Sequence, residues 1–360
     1  MTKRIVVKIG SNVLTRDDRR LDFTRMSAIV DQISMLHRNG VDVILVSSGA
    51  VASGRNEIKI DRILDSVSAR QLFSAVGQAK LINRYYELFR DQGLCCGQVL
   101  TTKESFSTRT QYLTQKHCME VMLANHVIPI VNENDTISVT ELMFTDNDEL
   151  SGLIATMMNV DTLVILSNID GIYDGNPHDS QSRVIREIDK SDVDLSRFIQ
   201  TEKSSFGRGG MLTKSKIAGK VSEQGIEVII ANGKKDNILT DLLLTKKNVT
   251  CTRFVPNSHP TSSIKKWIAY SEDFAKGTVY INAGAEQAIA SSRASSLLLV
   301  GVTHIEGDFE KEDIVHIMNE KGKNIGVGCV NFDASEARNL IGLKNQKPMI
   351  HYDYLWLNQE

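Results

Sequence analysis

The sequence predicts an α/β protein: a mainly parallel sheet sandwiched by helices, followed by a small β-rich C-terminal domain. Three observations predict it. Over the first 250 or so residues, short β-branched runs alternate with longer helical patterns, the alternation that builds parallel sheets from strand–helix–strand units. The runs are apolar throughout rather than alternating, as in strands covered on both faces by crossover helices. Beyond that point the chain changes to short extended segments separated by turn signals.

Ile5-Val6-Val7 reads as the first strand. Thr24 to Leu36 reads as a helix, with Met26, Ile29, Ile33 and Leu36 on one face and Asn39-Gly40 as its stop. Val43 to Val46 is a second strand, and residues 66 to 90 form a long helical stretch, as one helix or two. Val127 to Val131, Leu163 to Leu166 and Val228 to Ile230 are further strands, with an apolar helix over Leu150 to Met158. Pro256 and Pro260 lie in a polar, turn-rich stretch that reads as a linker. The segments 277–281, 296–302, 313–318 and 325–330 follow, separated by turns such as Glu306-Gly307-Asp308 and Glu320-Lys321-Gly322. The expected organisation is a domain over 1–255, a linker over 256–271 and a small domain over 272–360.

Composition narrows the function classes. The 360 residues carry 42 Lys and Arg against 44 Asp and Glu, a net charge of −2. That balance excludes a strongly basic nucleic-acid binder and an acidic disordered chain. Five cysteines, two of them adjacent and none in a CxxC pair, argue against a disulfide framework and for a cytoplasmic location. No apolar run has the length of a membrane span.

The chemistry concentrates after strands and before helices, where parallel sheets bind ligands. Lys8 follows the first strand and precedes Gly10-Ser11, where a glycine lets backbone approach an anion; it also reads as a snorkelling lysine at a strand end. Ser47-Ser48-Gly49-Ala50 follows the second strand and would expose backbone donors at a helix start, or is an ordinary turn. Gly49 to Arg55 fails as a P-loop, because Arg55-Asn56 stands where Lys-Ser/Thr is required. Asn132-Glu133-Asn134-Asp135 places four polar residues at a strand's carboxyl end, where they suit a substrate with an ammonium and a carboxylate group. Thr145-Asp146-Asn147-Asp148 precedes a helix and reads either as a functional cluster or as caps and first-turn acids. Gly207 to Lys214 is a glycine-rich loop entering a helix. A lysine in a first turn opposes the helix dipole, which suggests a bound polyanion; a surface loop is the other reading. In order along the chain, lysines and glycine turns at sheet edges with a carboxylate at Asp148 are equipment for phosphoryl transfer. The eight histidines are scattered and form no recognisable catalytic arrangement.

The segments VVKIGSNVLT, VSSGAVASGR, VNENDTISV, FTDNDELSGLIA, LSNIDGIYDGNP and GRGGMLTKSKIA, in that order, resemble the glutamate 5-kinase family of the amino acid kinase superfamily over about residues 3 to 250. The segment from about 272 to 360 resembles the PUA domain attached to many bacterial members. The resemblance implies the amino acid kinase fold and transfer of the γ-phosphoryl group of ATP to the side-chain carboxylate of L-glutamate, the first step of proline biosynthesis. It implies that Lys8 and Lys214 bind phosphates and stabilise the moving group, with Asp148 organising them. It places Ser48, Gly49, Asn132, Asp135 and Asn147 on glutamate. Gly10, Ser167, Asn168, Gly209, Gly210, Met211, Leu212 and Thr213 fall, with the two lysines, on the nucleotide side. Ser167-Asn168 stands where the family commonly has Thr-Asp, and Arg208 where a threonine precedes Gly-Gly. Both departures fall on nucleotide contacts rather than on the transfer machinery.

ATP and Mg²⁺ are the cofactors implied, with no dedicated protein metal ligand expected. A homo-oligomer and feedback inhibition by proline are implied by the resemblance alone. The apolar excess over Val67 to Phe89 reads either as an oligomer contact or as a buried helix. RNA binding by the C-terminal domain is not expected, since residues 272–360 hold eight Lys and Arg against thirteen Asp and Glu without a basic cluster.

Overall fold

The computed structural model describes residues 3–18, 20–61, 63–106, 108–138, 144, 146–177, 179, 181–189, 210–258, 265, 267–268, 271–291 and 295–358. By proximity the chain divides into two units, Met1–Lys103 with Lys116–Pro260, and Glu104–Gln115 with Thr261–Glu360.

The first unit opens with β1 (Arg4–Ile9), the short α1 (Ser11–Leu14) and α2 (Phe23–Arg38). Asp22 caps α2 by accepting from the Arg25 N–H at 3.1 Å, and Gly40 ends it at φ +76°. The four residues expected on its inner face, Met26, Ile29, Ile33 and Leu36, are all fully buried. Then come β2 (Asp42–Ser47), α3 (Ala50–Arg55) and α4 (Ser66–Asp91). The stretch left open as one helix or two is therefore a single 26-residue helix, started by Asp65, whose carboxylate accepts from the Val67 and Ser68 N–H groups. The remaining elements are β3 (Cys95–Thr101), α5 (Arg109–Ala124, of which only Lys116 onward belongs to this unit), β4 (Val127–Glu133), α6 (Asn147–Met157), β5 (Thr162–Ser167), β6 (Glu187–Ile188), α7 (Met211–Ser222), β7 (Glu227–Asn232), α8 (Ile238–Leu243) and β8 (Cys251–Phe254).

These strands form one sheet in the order β3-β4-β2-β1-β5-β7-β8-β6. It is parallel from β3 to β7; β8 then joins β7 antiparallel, with β6 parallel to β8. The fold class read from the sequence is the one observed. The central strands β1, β2 and β5 are almost wholly buried, which explains their unbroken apolar runs. Register aligns their carboxyl ends: Ile9 pairs with Ser47 and with Leu166, Val46 with Val131, and Ser167 with Asn232. Residues at or just beyond these positions share one edge of the sheet.

The second unit is a five-stranded sheet, β10-β9-β11-β12-β13, built from β9 (Gly277–Ile281), β10 (Val302–Gly307), β11 (Ile314–Met318), β12 (Asn324–Val330) and β13 (Ile350–Leu357). Val279, Ile281, Leu297, Val315, Ile317 and Ile350 lie at its core. Segment 296–302 is not the expected strand. Leu297 makes one isolated bridge to Ile350, a 3₁₀ turn covers Leu299–Gly301, and β10 starts at Val302. Two of the segment's three leucines, Leu297 and Leu299, are buried in the core, and Leu298 is exposed. Residues 104–115 join this unit, where the Trp267 indole N–H donates to the Phe106 carbonyl at 3.1 Å. No sequence pattern marks that grouping. Among the described residues no helix is long and apolar enough to cross a membrane.

Candidate active site

Lys8 is the penultimate residue of β1 and only 4 % accessible. Its ammonium contacts one oxygen of Asp148, which is fully buried in the first turn of α6. Lys214, in the first turn of α7, reaches the other oxygen at 2.9 Å. Two cations 206 positions apart in the sequence thus converge on one carboxylate. Burial alone would raise the Asp148 pKa, but the two lysines outweigh it and hold the carboxyl below its ordinary range. Asp146 is the N-cap of α6, accepting from the Asp148 and Glu149 N–H groups at 2.9 and 3.1 Å. The capping reading of this motif therefore holds for Asp146, while Asp148 is paired with the two lysines. Burial, then repulsion from Asp148, push Asp146 up to about 6 against the pull of the lysines.

Asn147, between those aspartates, joins the charged cluster to a polar wall. Its amide donates to Asn132 Oδ1 at 2.9 Å, to Ser48 Oγ at 3.0 Å and to the Ser47 carbonyl at 3.2 Å. Asn132 in turn donates to Gln78 Oε1 at 2.8 Å. Asp135 is 6 % accessible; it accepts from Arg70 Nε at 2.7 Å and Ser74 Oγ at 3.1 Å. Gly49 sits at φ +113°, a conformation that disfavours side chains, and a Cβ there would lie 3.2 Å from Leu21. Ser48, Gly49, Asn132, Asp135, Asn147 and Asn168 all line one cavity of about 530 Å³.

Ser167 ends β5 and is buried beside Asn168, which shares the cavity of Ser48, Asn132 and Asn147 although the resemblance put it on the nucleotide side. The Gly10 N–H is taken by the Leu166 carbonyl at 3.1 Å, so it is not a free anion donor. A Cβ at Gly10 would come within 3.2 Å of the Leu166 carbonyl oxygen, a tight contact, and would stand 3.6 Å from the Lys8 ammonium, an ordinary one. Gly210 caps α7, and Met211, Leu212 and Thr213 lead to Lys214 in its first turn. Gly209 and Arg208 lie outside the described residues.

Sequence reasoning missed Arg70, Ser74 and Gln78. They recur every four residues along α4, so they share one face, and each reaches the NEND segment. Their period of four is no signal by itself, because the helix also carries Gln71, Lys80, Asn83 and Arg84 at other positions. Arg16, Arg55 and Lys234 also line the cavity without having been singled out.

The model of the amino acid kinase family matches residues 3–232, and that of the PUA domain residues 277–352. The parallel run of the sheet from β3 to β7, the lysine pair and all of the cavity lining but Lys234 thus lie in a region of amino acid kinase type. The glutamate 5-kinase of Bacteroides thetaiotaomicron is 64% identical over 354 residues, 98% of each chain. That of Chlorobaculum tepidum is 47% identical over 360 residues, 99% of this chain and 97% of the other. A solved structure of carbamate kinase from Giardia lamblia, bound to AMP-PNP, shares the fold with a TM-score of 0.50 at 17% identity, covering 71% of this chain and 99% of that one. The chain belongs to the glutamate 5-kinase family.

Proposed function

We propose that this chain transfers the γ-phosphoryl group of ATP to the side-chain carboxylate of L-glutamate, giving γ-glutamyl phosphate for proline biosynthesis, with Lys8 and Lys214 as the cations that stabilise the moving group. Full-length relatedness to glutamate 5-kinases supports the reaction. The observation that carries the mechanism is the convergence of both lysines on Asp148, one residue from Asn147 at the cavity wall.

A glutamate side chain has a pKa of about 4.3 and is ionised at neutral pH, so no general base is needed. The obstacle is repulsion between an anionic nucleophile and an anionic nucleotide. Two preorganised ammonium groups in a buried site offset it, and are worth more there than in water. Asp148 keeps them together before the phosphates arrive. Ser48, Gly49, Asn132, Asp135 and Asn147 hold the acceptor. Gly10, Ser167, Asn168 and the run from Gly209 to Lys214 serve the nucleotide.

Mg²⁺ would be held chiefly by nucleotide phosphate oxygens, the usual arrangement for this ion. Among the described residues, Asp146 Oδ2, buried with no hydrogen-bond partner, is an oxygen that fits it. When bound, the ion supplies charge neutralisation at the phosphates. A cytoplasmic location, a homo-oligomeric state and inhibition by proline complete the proposal; five free cysteines support the first, and the family resemblance the other two.

Hydroxylamine trapping tests the reaction. With MgATP, hydroxamate should form from L-glutamate and not from N-acetylglutamate or aspartate. Hydroxamate from N-acetylglutamate alone would overturn the acceptor assignment.

A further inference from the structure

Glu133 and Asp135 are 4 % and 6 % accessible and lie two residues apart. Two carboxylates so placed repel each other and lose their hydration. Burial, and then Asp135, raise the Glu133 pKa, while Arg70 opposes both. The Arg70 guanidinium spans the pair: Nε donates to Asp135 Oδ1 at 2.7 Å and Nη2 to Glu133 Oε2 at 2.8 Å. The outer oxygens are engaged as well, Asp135 Oδ2 by Ser74 and Glu133 Oε1 by the Phe144 N–H at 3.0 Å. Neither carboxylate can rotate without breaking a bond.

We propose that Arg70 is a positioning residue for the acceptor, holding the Asp135 carboxylate fixed on the cavity wall for the substrate's α-ammonium group. The proposal rests on the reading above that Asp135 contacts that group. Arg70 acts through Asp135 and touches no reacting atom. It sets acceptor affinity rather than the rate of transfer, and only for acceptors that carry the ammonium group.

Steady-state kinetics of the full chain with L-glutamate and with glutarate, which is glutamate without its amino group, test this. Arg70→Ala and Arg70→Gln should raise the glutamate KM by on the order of tenfold or more, with kcat within about threefold, as for an interaction equal in ground and transition states. The glutarate KM should not change. Arg70→Lys, which keeps the charge, should restore most of the glutamate affinity. An unchanged or lower glutamate KM, an equal rise for glutarate, or no recovery with lysine would overturn the proposal. If the alanine variant does not fold, the glutamine and lysine variants decide. Should the unmodified chain bind glutarate as well as glutamate, the ammonium-binding role of Asp135 fails first, whatever Arg70 does.

Discussion

Replacing Gly77 with alanine tests whether the crossing of α3 on α4 sets the geometry of the acceptor cavity. A Cβ at Gly77 would lie 1.9 Å from the Ala50 carbonyl oxygen and 2.4 Å from the Gly54 nitrogen. Gly54 on the facing helix is as tight, with 1.8 Å to the Phe73 carbonyl. Contacts under 3.0 Å are essentially never tolerated, and these neighbours are backbone, which cannot rotate away. α3 must therefore move by more than 1 Å, and it starts at Gly49 on the cavity wall. Overpacking of this kind costs about 1–3 kcal/mol, with the upper end expected here. At roughly 2–4 °C per kcal/mol for a unit of this size, Tm should fall by about 5–10 °C. A displacement near 1 Å can cost on the order of 10²-fold in catalysis, so kcat/KM for glutamate should fall by about 10–100-fold. Thermal denaturation and coupled ADP release measure both. Gly219→Ala in α7, where a Cβ meets nothing within 4 Å, is the control. It should stabilise by about 0.5–1 kcal/mol. A Gly77→Ala protein with unchanged Tm and kcat/KM would refute the reasoning; a lowered Tm with unchanged kcat/KM would show that the crossing supports the fold but not the site.

Two further perturbations probe the charged cluster. Asp148→Asn leaves two lysines without their shared counter-ion, and breaking such a buried pair should cost about 3–5 kcal/mol in urea denaturation; a loss under about 1 kcal/mol would show that the pair is not structural. Asp146→Asn keeps the helix cap and removes a group whose pKa is raised from 3.8 to about 6. A raised acid pKa favours folding below the unfolded value and loses that contribution as pH climbs through the folded one. The asparagine variant should therefore be more stable than the parent at pH 8, by about 2–3 kcal/mol, with the advantage shrinking toward pH 4. A pH-independent difference, or one of opposite sign, would contradict the assignment.

The central strands were legible because burial on both faces leaves no ambiguity in an apolar run, as at Val43 to Val46. β3 was missed because it is an edge strand, alternating between buried and exposed residues with Gly97 and Gln98 inside it. β8 was missed because Cys251–Phe254 is only four residues long and carries Arg253. Lys8 and Lys214 could be singled out because each stands where a cation is costly or unusual, and Asp148 as a carboxylate in a polar run before an apolar helix. Their meeting on Asp148 was expected from the family resemblance; the residues alone could not give it, since it depends on the register of β1 against β5 and on how α6 and α7 pack. Arg70 was invisible for a different reason: an arginine in a long helix reads as a solvated residue until the carboxylates it faces are known.

The most direct test of the account is the turnover of Lys8→Ala and Lys214→Ala with saturating glutamate and MgATP. Each should lower kcat by on the order of 10²–10³, the usual cost of removing one donor aimed at transition-state charge, while the glutamate KM stays near that of the parent. A folded variant with near-normal kcat would take that lysine out of the transfer step and leave the convergence on Asp148 as an ion pair of the fold alone.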